Sequence, residues 1–322
     1  MKIIIPDDYQ DAVRHLACFP MLAAHEVTIL REHASDVDVL TERFRDADAL
    51  VLIRERTPIS AALLERLPKL RLISQTGRGI PHIDLAACTR RGVLVCAGGG
   101  SPYATAELTW ALVLAALRHI PQEVNNLKAG CWQATLGTGL RGRTLGVYGY
   151  GSIGSLVAGY GRDFGMRVIV WGREGSLERA RADGYEIAAG REAFFAESDV
   201  LSLHIKLTAE TRGLVTVADL ARMKPTALLV NTSRAALIAP DVLVDALRAG
   251  RPGFAAVDVY ESEPVVDHPL LHLENALCTP HLGYVEKDSY EAYFSAAFEQ
   301  VIAFAAGAPI NLLNSPEPRI QP

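Results

Sequence analysis

The stretch Leu145-Gly-Val-Tyr-Gly149-Tyr-Gly151-Ser-Ile-Gly154 joins a short apolar segment to three glycines in a GxGxxG pattern. The apolar segment predicts a buried strand, and residues 152–164 predict the helix that follows it. In this context Gly149 permits a tight turn, Gly151 lets a pyrophosphate approach the backbone, and Gly154 lets helix and strand pack closely. The helix N-terminus offers free N–H groups to phosphates. The stretch therefore predicts a dinucleotide-binding unit rather than a glycine turn without a ligand.

Apolar runs alternate with helical segments on the C-terminal side of this stretch. They predict strands at residues 167–171, 200–203, 227–231, 254–257 and 276–278. These runs are almost uninterrupted, as expected for strands buried on both faces of a parallel sheet. With the strand before Gly149 they make six, which matches a doubly wound dinucleotide-binding domain.

The N-terminal part shows the same rhythm. Strands are predicted at residues 2–6, 49–53, 70–73 and 93–96, and helices at 36–44 and 60–67, capped by Asp36 and Ser60. The glycines at 98–100 then interrupt the pattern before a long helix at 104–118. A last helix at 286–305 has no place in a six-stranded sheet, so we expect it to return to the first domain.

Composition excludes several classes of protein. The 322 residues carry a formal charge of −5, which disfavours nucleic acid as a partner. The five cysteines are dispersed, which indicates neither a disulfide framework nor a metal site. No apolar run reaches the length of a membrane span, and the first residues are too short for a signal peptide. We therefore expect a cytoplasmic protein with no membrane or metal partner.

Polar residues follow three of the predicted strands. Arg234 comes after 227–231, Asp258 and Glu263 after 254–257, and His281 after 276–278. Ligands bind outside the carboxyl ends of strands in open α/β sheets, so these groups are expected to converge beside a nicotinamide. An arginine, a carboxylate and a histidine are what the reduction of a keto acid requires.

Five motifs in this order resemble the D-isomer-specific 2-hydroxyacid dehydrogenase family over essentially the whole chain. They are Gly149-Tyr-Gly-Ser-Ile-Gly154, Leu203-His-Ile-Lys-Leu-Thr208 with Glu210-Thr211-Arg212-Gly213, Met223-Lys-Pro-Thr-Ala-Leu-Leu-Val-Asn231-Thr-Ser-Arg234, Asp258-Val-Tyr-Glu-Ser-Glu-Pro264 and Thr279-Pro-His-Leu-Gly283. The resemblance implies an α/β fold with two Rossmann-like domains. A doubly wound dinucleotide-binding domain, residues 101–284, is inserted into a flavodoxin-like substrate domain made of residues 1–100 and 285–322.

The resemblance also implies the catalytic roles. Arg234 would bind the substrate carboxylate and polarise the 2-keto oxygen, as a fixed cation suited to carboxylates. His281 would be the general acid in reduction and the base in oxidation. Glu263 would pair with the imidazole and orient it, and Asp258 would contact the nicotinamide side of the cofactor. Ala235 replaces the glycine that is usual after the arginine, which is a mild departure.

The expected cofactor is NAD(P)(H), with a lean towards NADP(H). Gly172 stands where NAD-specific sites usually place an acid, and Arg173 beside it suits a 2′-phosphate. Lys206 replaces a usual proline and could bind the same 2′-phosphate. Glu174 could instead take the role of the acid, so NAD(H) remains an alternative. The full set of expected cofactor contacts is Gly149, Tyr150, Gly151, Ser152, Ile153, Gly154, Trp171, Gly172, Arg173, His204, Lys206, Thr211, Thr232, Ser233, Asp258 and Gly283.

The N-terminal domain is expected to complete the substrate site. Gly77, Arg78 and Gly79 align with the family's glycine loop, which offers backbone N–H groups to a carboxylate. Arg54 stands where relatives carry a substrate-facing arginine, and a surface salt bridge is the alternative reading. The substrate is therefore expected to be a small 2-keto or 2-hydroxy acid.

Three other functions stay open at this point. A phosphoglycerate dehydrogenase without a regulatory domain is the nearest, and a nucleotide-sensing corepressor-like protein would keep the same three residues. Formate dehydrogenases carry glutamine where this chain has Glu263. We also expect a homodimer, because the helix at 104–118 resembles the family's dimer-forming element.

Overall fold

The chain divides into two compact units, each with its own parallel sheet. The computed structural model describes residues 1–315. One unit, here the terminal unit, contains Met1–Ser101 and the segment that begins at Glu286. The other, the central unit, is Pro102–Val285. The predicted mixed α/β, Rossmann-like fold with parallel sheets is confirmed.

The terminal unit is built on a five-stranded parallel sheet with the order β2-β1-β3-β4-β5. Its strands and helices are β1 (Lys2–Ile5), β2 (Glu26–Ile29), α1 (Val37–Phe44), β3 (Ala49–Leu52), α2 (Ala61–Glu65), β4 (Leu72–Thr76), α3 (Leu85–Arg90) and β5 (Leu94–Gly98). Asp36 and Ser60 cap α1 and α2 with their side chains, as predicted. Strands β3 and β4 are fully buried, which places the core of this unit on both faces of the sheet.

The central unit contains a seven-stranded sheet. Its elements are α4 (Tyr103–Leu117), α5 (Ile120–Lys128), β6 (Thr144–Tyr148), α6 (Ser152–Asp163), β7 (Arg167–Trp171), α7 (Glu174–Ala182), β8 (Glu186–Ile187), α8 (Arg191–Glu197), β9 (Val200–Leu203), α9 (Val217–Arg222), β10 (Leu228–Asn231), α10 (Val242–Arg248), β11 (Phe254–Val257) and β12 (Ala276–Cys278). The order is β12-β11-β10-β9-β6-β7-β8, all parallel. This is the doubly wound order extended by one strand. From β6 the chain first adds strands on one side of the sheet, β7 and β8, and then adds β9 to β12 on the other side, so the topological switch point lies between β6 and β9.

The last helix, α11 (Lys287–Ala305), lies in the terminal unit and packs on β4 and β5. The side chain of Glu286 caps its first turn. The chain then runs antiparallel beside β5, where Leu313 donates its N–H to the carbonyl of Val95 at 2.8 Å. The terminal unit is thus completed by residues that follow the central unit in the sequence.

Two strands were not predicted. The edge strand β2 alternates between exposed and half-buried residues, and therefore lacks the apolar run that marked the inner strands. Strand β8 has only two residues. Within the described residues, no helix is long and apolar enough to cross a membrane.

Candidate active site

The glycine loop after β6 has the geometry that the sequence motif requires. Gly149 has a φ of 96°, and a Cβ there would lie 2.7 Å from the carbonyl oxygen of His204. A Cβ on Gly154 would overlap the carbonyl oxygen of Gly149. At Gly151, by contrast, no atom of the described residues lies within 4 Å of a Cβ position. Two of the glycines are thus needed for packing, and Gly151 leaves space outside the loop.

The open side of Gly151 faces the start of α6. Gly151 is the N-cap residue of this helix, and exposed Ser152 and half-buried Ile153 are its first residues after the cap. The first N–H groups of a helix have no partner within it and carry its positive dipole end. These residues therefore fit the pyrophosphate of a dinucleotide.

The side chain of Tyr150 does not lie on this open side. Its hydroxyl donates a hydrogen bond to Asp183 at 2.6 Å, and its ring packs on Tyr185. Its backbone N–H donates to Oγ of Ser176 at 2.6 Å. The side chain of Tyr150 is almost fully buried and anchors the loop to α7, and a contact of this residue with the cofactor stays a prediction.

The end of β7 presents the cation of Arg173, whose charge helps to lower the pKa of exposed Glu210 in the turn after β9. Arg173 is exposed and is the N-cap residue of α7. The carboxylate of Glu174 accepts a hydrogen bond from Arg181 at 2.7 Å. Trp171 and Gly172 are half-buried, and Gly172 lies against the glycine loop, because a Cβ on it would be 3.7 Å from Cα of Gly149.

The turn after β9 lies on the other side of the glycine loop. Its first residue, His204, bonds to Oγ of Ser202 through Nε2 at 2.8 Å, and burial lowers the pKa of its imidazole. Thr211 closes the turn, since its hydroxyl donates to the carbonyl of Lys206 at 2.8 Å. The side chain of Lys206 is exposed. The hydroxyl of Thr211 is therefore used within the turn.

The loop after β10 is shaped by Asn231, which sequence reasoning did not single out. Its Nδ2 donates to the carbonyl of Arg234 at 3.0 Å, and its Oδ1 accepts from the N–H of Ser233 at 3.1 Å. Ser233 in turn donates its hydroxyl to the carbonyl of Ile205 at 2.8 Å. An asparagine that bonds to the backbone two and three residues later is a recognisable loop signal.

The two other side chains of this loop have different surroundings. Thr232 is buried and shares a hydrogen bond of 2.7 Å with the hydroxyl of Thr109 in α4. Arg234 is half-buried and donates from Nη1 to the carbonyl of Ser233 at 2.7 Å. Asn231 therefore fixes the backbone from which the guanidinium of Arg234 extends.

Glu263 and His281 form a close polar pair. Nδ1 of His281 lies 2.6 Å from Oε2 of Glu263, and Oε1 of Glu263 accepts from the N–H of Tyr260 at 3.0 Å. Burial favours a raised pKa for Glu263, but the hydrogen bond and charge of His281, with the charge of Arg234, lower it. Arg234 is thus near enough to act on this carboxylate, and the three predicted groups share one electrostatic environment.

His281 is held in an unusual backbone conformation. Its φ is 51°, in the left-handed region that few residues other than glycine adopt. Its ring packs edge-on against Tyr284, with centroids 5.4 Å apart. The imidazole is therefore supported on one side by Tyr284 and at Nδ1 by Glu263.

The side chain of Asp258 is bonded to the loop that carries His281. Its carboxylate is fully buried and accepts hydrogen bonds from the hydroxyl of Thr279 at 2.6 Å, the N–H of Leu282 at 2.7 Å and the N–H of Gly283 at 2.9 Å. Burial raises the pKa of Asp258, and these hydrogen bonds oppose the rise. Gly283 also accepts from Thr105 at 2.8 Å. Asp258 thus supports the His281 loop, and its contact with the nicotinamide side of a cofactor stays a prediction.

The predicted substrate residues of the terminal unit lie together. The guanidinium of Arg54 packs against Gly77, because a Cβ on Gly77 would overlap its Nη1 atom. A Cβ on Gly79 would lie 2.7 Å from the carboxylate of Glu55. Arg78 is exposed between the two glycines. Arg54 is also 3.9 Å from Glu55 and lies over the ring of Tyr293, so it is not a solvated surface cation.

This fold and site define a parallel α/β, dinucleotide-binding type of protein, and comparison with known proteins places it in a family. Residues 110–283 match the model of the "D-isomer specific 2-hydroxyacid dehydrogenase, NAD binding domain". The chain therefore belongs to the D-isomer-specific 2-hydroxyacid dehydrogenase family and is an oxidoreductase with an NAD-binding domain. The predicted resemblance and enzyme class are confirmed.

Individual relatives carry two different names. The chain is 40% identical to a glyoxylate reductase of Aeropyrum pernix over 290 residues, which cover 86% of each chain. It is 35% identical to a D-3-phosphoglycerate dehydrogenase of Methanocaldococcus jannaschii, matching 99% of this chain but 61% of that protein. A solved structure from Ralstonia solanacearum, described as a putative D-3-phosphoglycerate dehydrogenase, has 55% identity and a TM-score of 0.95, covering 97% of this chain and 96% of that one.

Proposed function

We propose that this enzyme interconverts a small 2-keto acid and its 2-hydroxy acid, with glyoxylate and hydroxypyruvate as the substrate class. The observation that carries the proposal is the 2.6 Å pair of His281 and Glu263, within electrostatic reach of Arg234. These groups follow strands β10, β11 and β12 at their carboxyl ends, where open α/β sheets bind ligands.

Each of the three groups has a defined role in this proposal. Arg234 binds the substrate carboxylate and polarises the 2-keto oxygen, because a guanidinium donates two parallel hydrogen bonds. In reduction, His281 delivers a proton from Nε2 to that oxygen, and in oxidation it takes the proton back. Glu263 holds Nδ1, so that the ring keeps its orientation. When bound, the nicotinamide supplies or accepts the hydride at C2.

The two units divide the binding work in this proposal. The central unit binds the dinucleotide at the glycine loop and α6, and the terminal unit supplies the substrate contacts Arg54, Gly77, Arg78 and Gly79. Clustering of Arg54 with the 77–79 loop supports this assignment. The backbone N–H groups of such a loop suit a carboxylate.

NADP(H) is the preferred cofactor in our proposal. Exposed Arg173 at the end of β7 and exposed Lys206 after β9 flank the glycine loop, whose Gly149 contacts both neighbouring loops. The carboxylate of Glu174 accepts a hydrogen bond from Arg181 at 2.7 Å, which partly offsets its repulsion of a 2′-phosphate. An arginine at this place is suited to a phosphate.

A second substrate, 3-phosphohydroxypyruvate, is favoured by one observation. The terminal unit brings two guanidinium groups, Arg54 and Arg78, to the loop that we assign to the substrate. A phosphorylated keto acid carries a second anion for which such groups are suited. The names of the Ralstonia solanacearum and Methanocaldococcus jannaschii relatives point to the same substrate.

We also propose a homodimer, formed through a different surface from the one first expected. Helix α4 packs on α6, β10 and β11, so most of it is core. Five exposed large apolar side chains lie on α5 and just after it: Ile120, Val124, Leu127, Trp132 and Leu136. Ile120, Val124 and Leu127 are four and three positions apart and so share one face of α5, and an exposed apolar face favours a second copy as partner. Light scattering of the purified protein tests this, and a monomeric mass at micromolar concentration contradicts it.

One assay tests the proposed activity. The protein is mixed with glyoxylate, hydroxypyruvate, pyruvate or 3-phosphohydroxypyruvate and either NADH or NADPH, and loss of reduced-nicotinamide absorbance is followed. We expect turnover with at least one of the first two, faster with NADPH at limiting cofactor. Binding of cofactor without turnover of any keto acid would favour a nucleotide-sensing protein instead.

A further inference from the structure

Arg54 has a backbone conformation that its residue type disfavours. Its φ is 52°, in the left-handed region where a side chain crowds the backbone. Non-glycine residues remain there only when surrounding contacts hold them, and such positions cluster at functional sites.

Two side chains of β4 hold the backbone of Arg54 in place. Oγ1 of Thr76 accepts from the N–H of Arg54 at 2.9 Å and donates to the carbonyl of Leu52 at 2.8 Å. Nε2 of Gln75 donates to the carbonyl of Arg54 at 2.9 Å. Both side chains are buried, so water cannot replace these hydrogen bonds without cost.

The backbone of Arg54 determines where its guanidinium lies. The side chain passes close to Gly77, where any Cβ would overlap it, and its Cζ lies 5.4 Å from the ring centroid of Tyr293. A return of Arg54 to the ordinary right-handed or extended region would turn its side chain away from this loop.

We infer that Gln75 and Thr76 are positioning residues, which prepare the anion site of the terminal unit by fixing Arg54. They act through Arg54 and make no contact with substrate themselves. The inference rests on the proposed function, because it assigns Arg54 to the binding of the anionic substrate.

The hydroxyl of Thr76 is tested with two variants of nearly the same shape. Thr76→Val removes both hydrogen bonds of the hydroxyl, whereas Thr76→Ser keeps them. With the best keto acid of the panel, we expect Thr76→Val to raise KM about tenfold with kcat changed less than about twofold, the pattern of lost binding rather than lost chemistry. Thr76→Ser is expected to restore a KM close to that of the wild type.

A matched control comes from the same strand. Ser74 is also buried and donates to the carbonyl of Ala297 at 2.9 Å, on the α11 side of the sheet. Ser74→Ala therefore removes a buried hydroxyl without touching Arg54, and we expect an unchanged KM. If Thr76→Val does not fold, as judged by circular dichroism, Gln75→Met removes the other hydrogen bond and serves as the second variant.

A double-mutant cycle decides whether Thr76 acts through Arg54. Arg54→Ala is expected to raise KM, and adding Thr76→Val to it is expected to change KM no further. An undiminished effect of Thr76→Val in the Arg54→Ala background overturns the inference. So does an unchanged KM in Thr76→Val when Arg54→Ala raises it. Absence of turnover of every keto acid by the wild type would instead contradict the proposed function.

Discussion

Nδ1 of His281 lies 2.6 Å from Oε2 of Glu263, although eighteen positions separate the two residues in the sequence. The second carboxylate oxygen of Glu263 is held by the N–H of Tyr260 at 3.0 Å. The carboxylate is therefore fixed at both oxygens and holds one edge of the imidazole. Nε2, on the opposite side of the ring, is left as the atom that transfers the proton in the proposed reaction.

Glu263→Gln tests the orienting role of this carboxylate. The substitution keeps the shape but loses the charge that orients the imidazole and stabilises its protonated form, so we expect kcat to fall between about 10²-fold and 10⁴-fold. Steady-state kinetics measure the effect. Glu261→Gln, two positions earlier and outside the pair, is the control and should retain activity. A wild-type kcat in Glu263→Gln would remove Glu263 from the mechanism.

Gly151→Ala separates cofactor binding from folding. The position has room for a Cβ and an extended backbone, so we expect the free energy of unfolding to change by about 1 kcal/mol or less. The added methyl group occupies the space proposed for the pyrophosphate, and cofactor affinity should fall about tenfold or more. Fluorescence titration and urea unfolding measure the two quantities. Gly159→Ala, in the same helix, should bind cofactor normally; equal affinity in Gly151→Ala would place the dinucleotide elsewhere.

Arg173→Ala tests the proposed 2′-phosphate site. Loss of one charge-assisted contact should weaken NADPH binding about tenfold and leave NADH binding nearly unchanged. Arg222→Ala, an exposed arginine on α9 that pairs with Glu192, is the control. If the wild type binds NADH more tightly than NADPH, the NADP(H) preference is wrong whatever the variant does.

His82 predicts a particular loss of stability in acid. Burial, opposed by Glu55 and reinforced by Arg54, lowers the pKa of its imidazole to about 4. The ordinary value is about 6.5, so the unfolded chain binds more protons between these two pH values. The contribution is therefore fully favourable above about pH 6.5, and stability is lost as the pH falls towards 4.

The measurement compares urea unfolding at pH 7.5 and pH 5.0. His82→Asn cannot acquire the charge, so its stability should fall by less than that of the wild type, with a difference of roughly 1 to 2 kcal/mol. His15→Asn, at an exposed position, is expected to follow the wild type. Identical pH dependence of all three proteins would contradict a lowered pKa for His82.

Much of the fold was predictable because most of the buried strands coincide with apolar runs in the sequence. β7, β9 and β11 begin and end where the apolar runs do, since strands buried on both faces tolerate few polar residues. The edge strand β2 and the two-residue β8 escaped because half-exposed or very short strands carry no such run. Helix caps at Asp36 and Ser60 were readable from local chemistry alone.

The sequence predicted which residues form the site, but it did not predict how their side chains are oriented or which groups they contact. The motifs indicated Arg234, Glu263 and His281, whereas nothing in them tells that Tyr150 points into the domain or that Asp258 supports a loop. These orientations depend on hydrogen-bond partners that are far away in the sequence, such as Asp183 for Tyr150 and Leu282 for Asp258. The Asn231 signal lay in its residue type and position, two and three residues before the groups that it binds.

The most direct test of the central claim is keto-acid reduction by the wild type and by His281→Asn, measured with saturating reduced cofactor. The wild type should turn over glyoxylate or hydroxypyruvate. His281→Asn should bind cofactor with the same affinity but lose about 10²-fold to 10⁴-fold in kcat, because the proton donor is gone. A variant that reduces the keto acid as fast as the wild type would contradict the account.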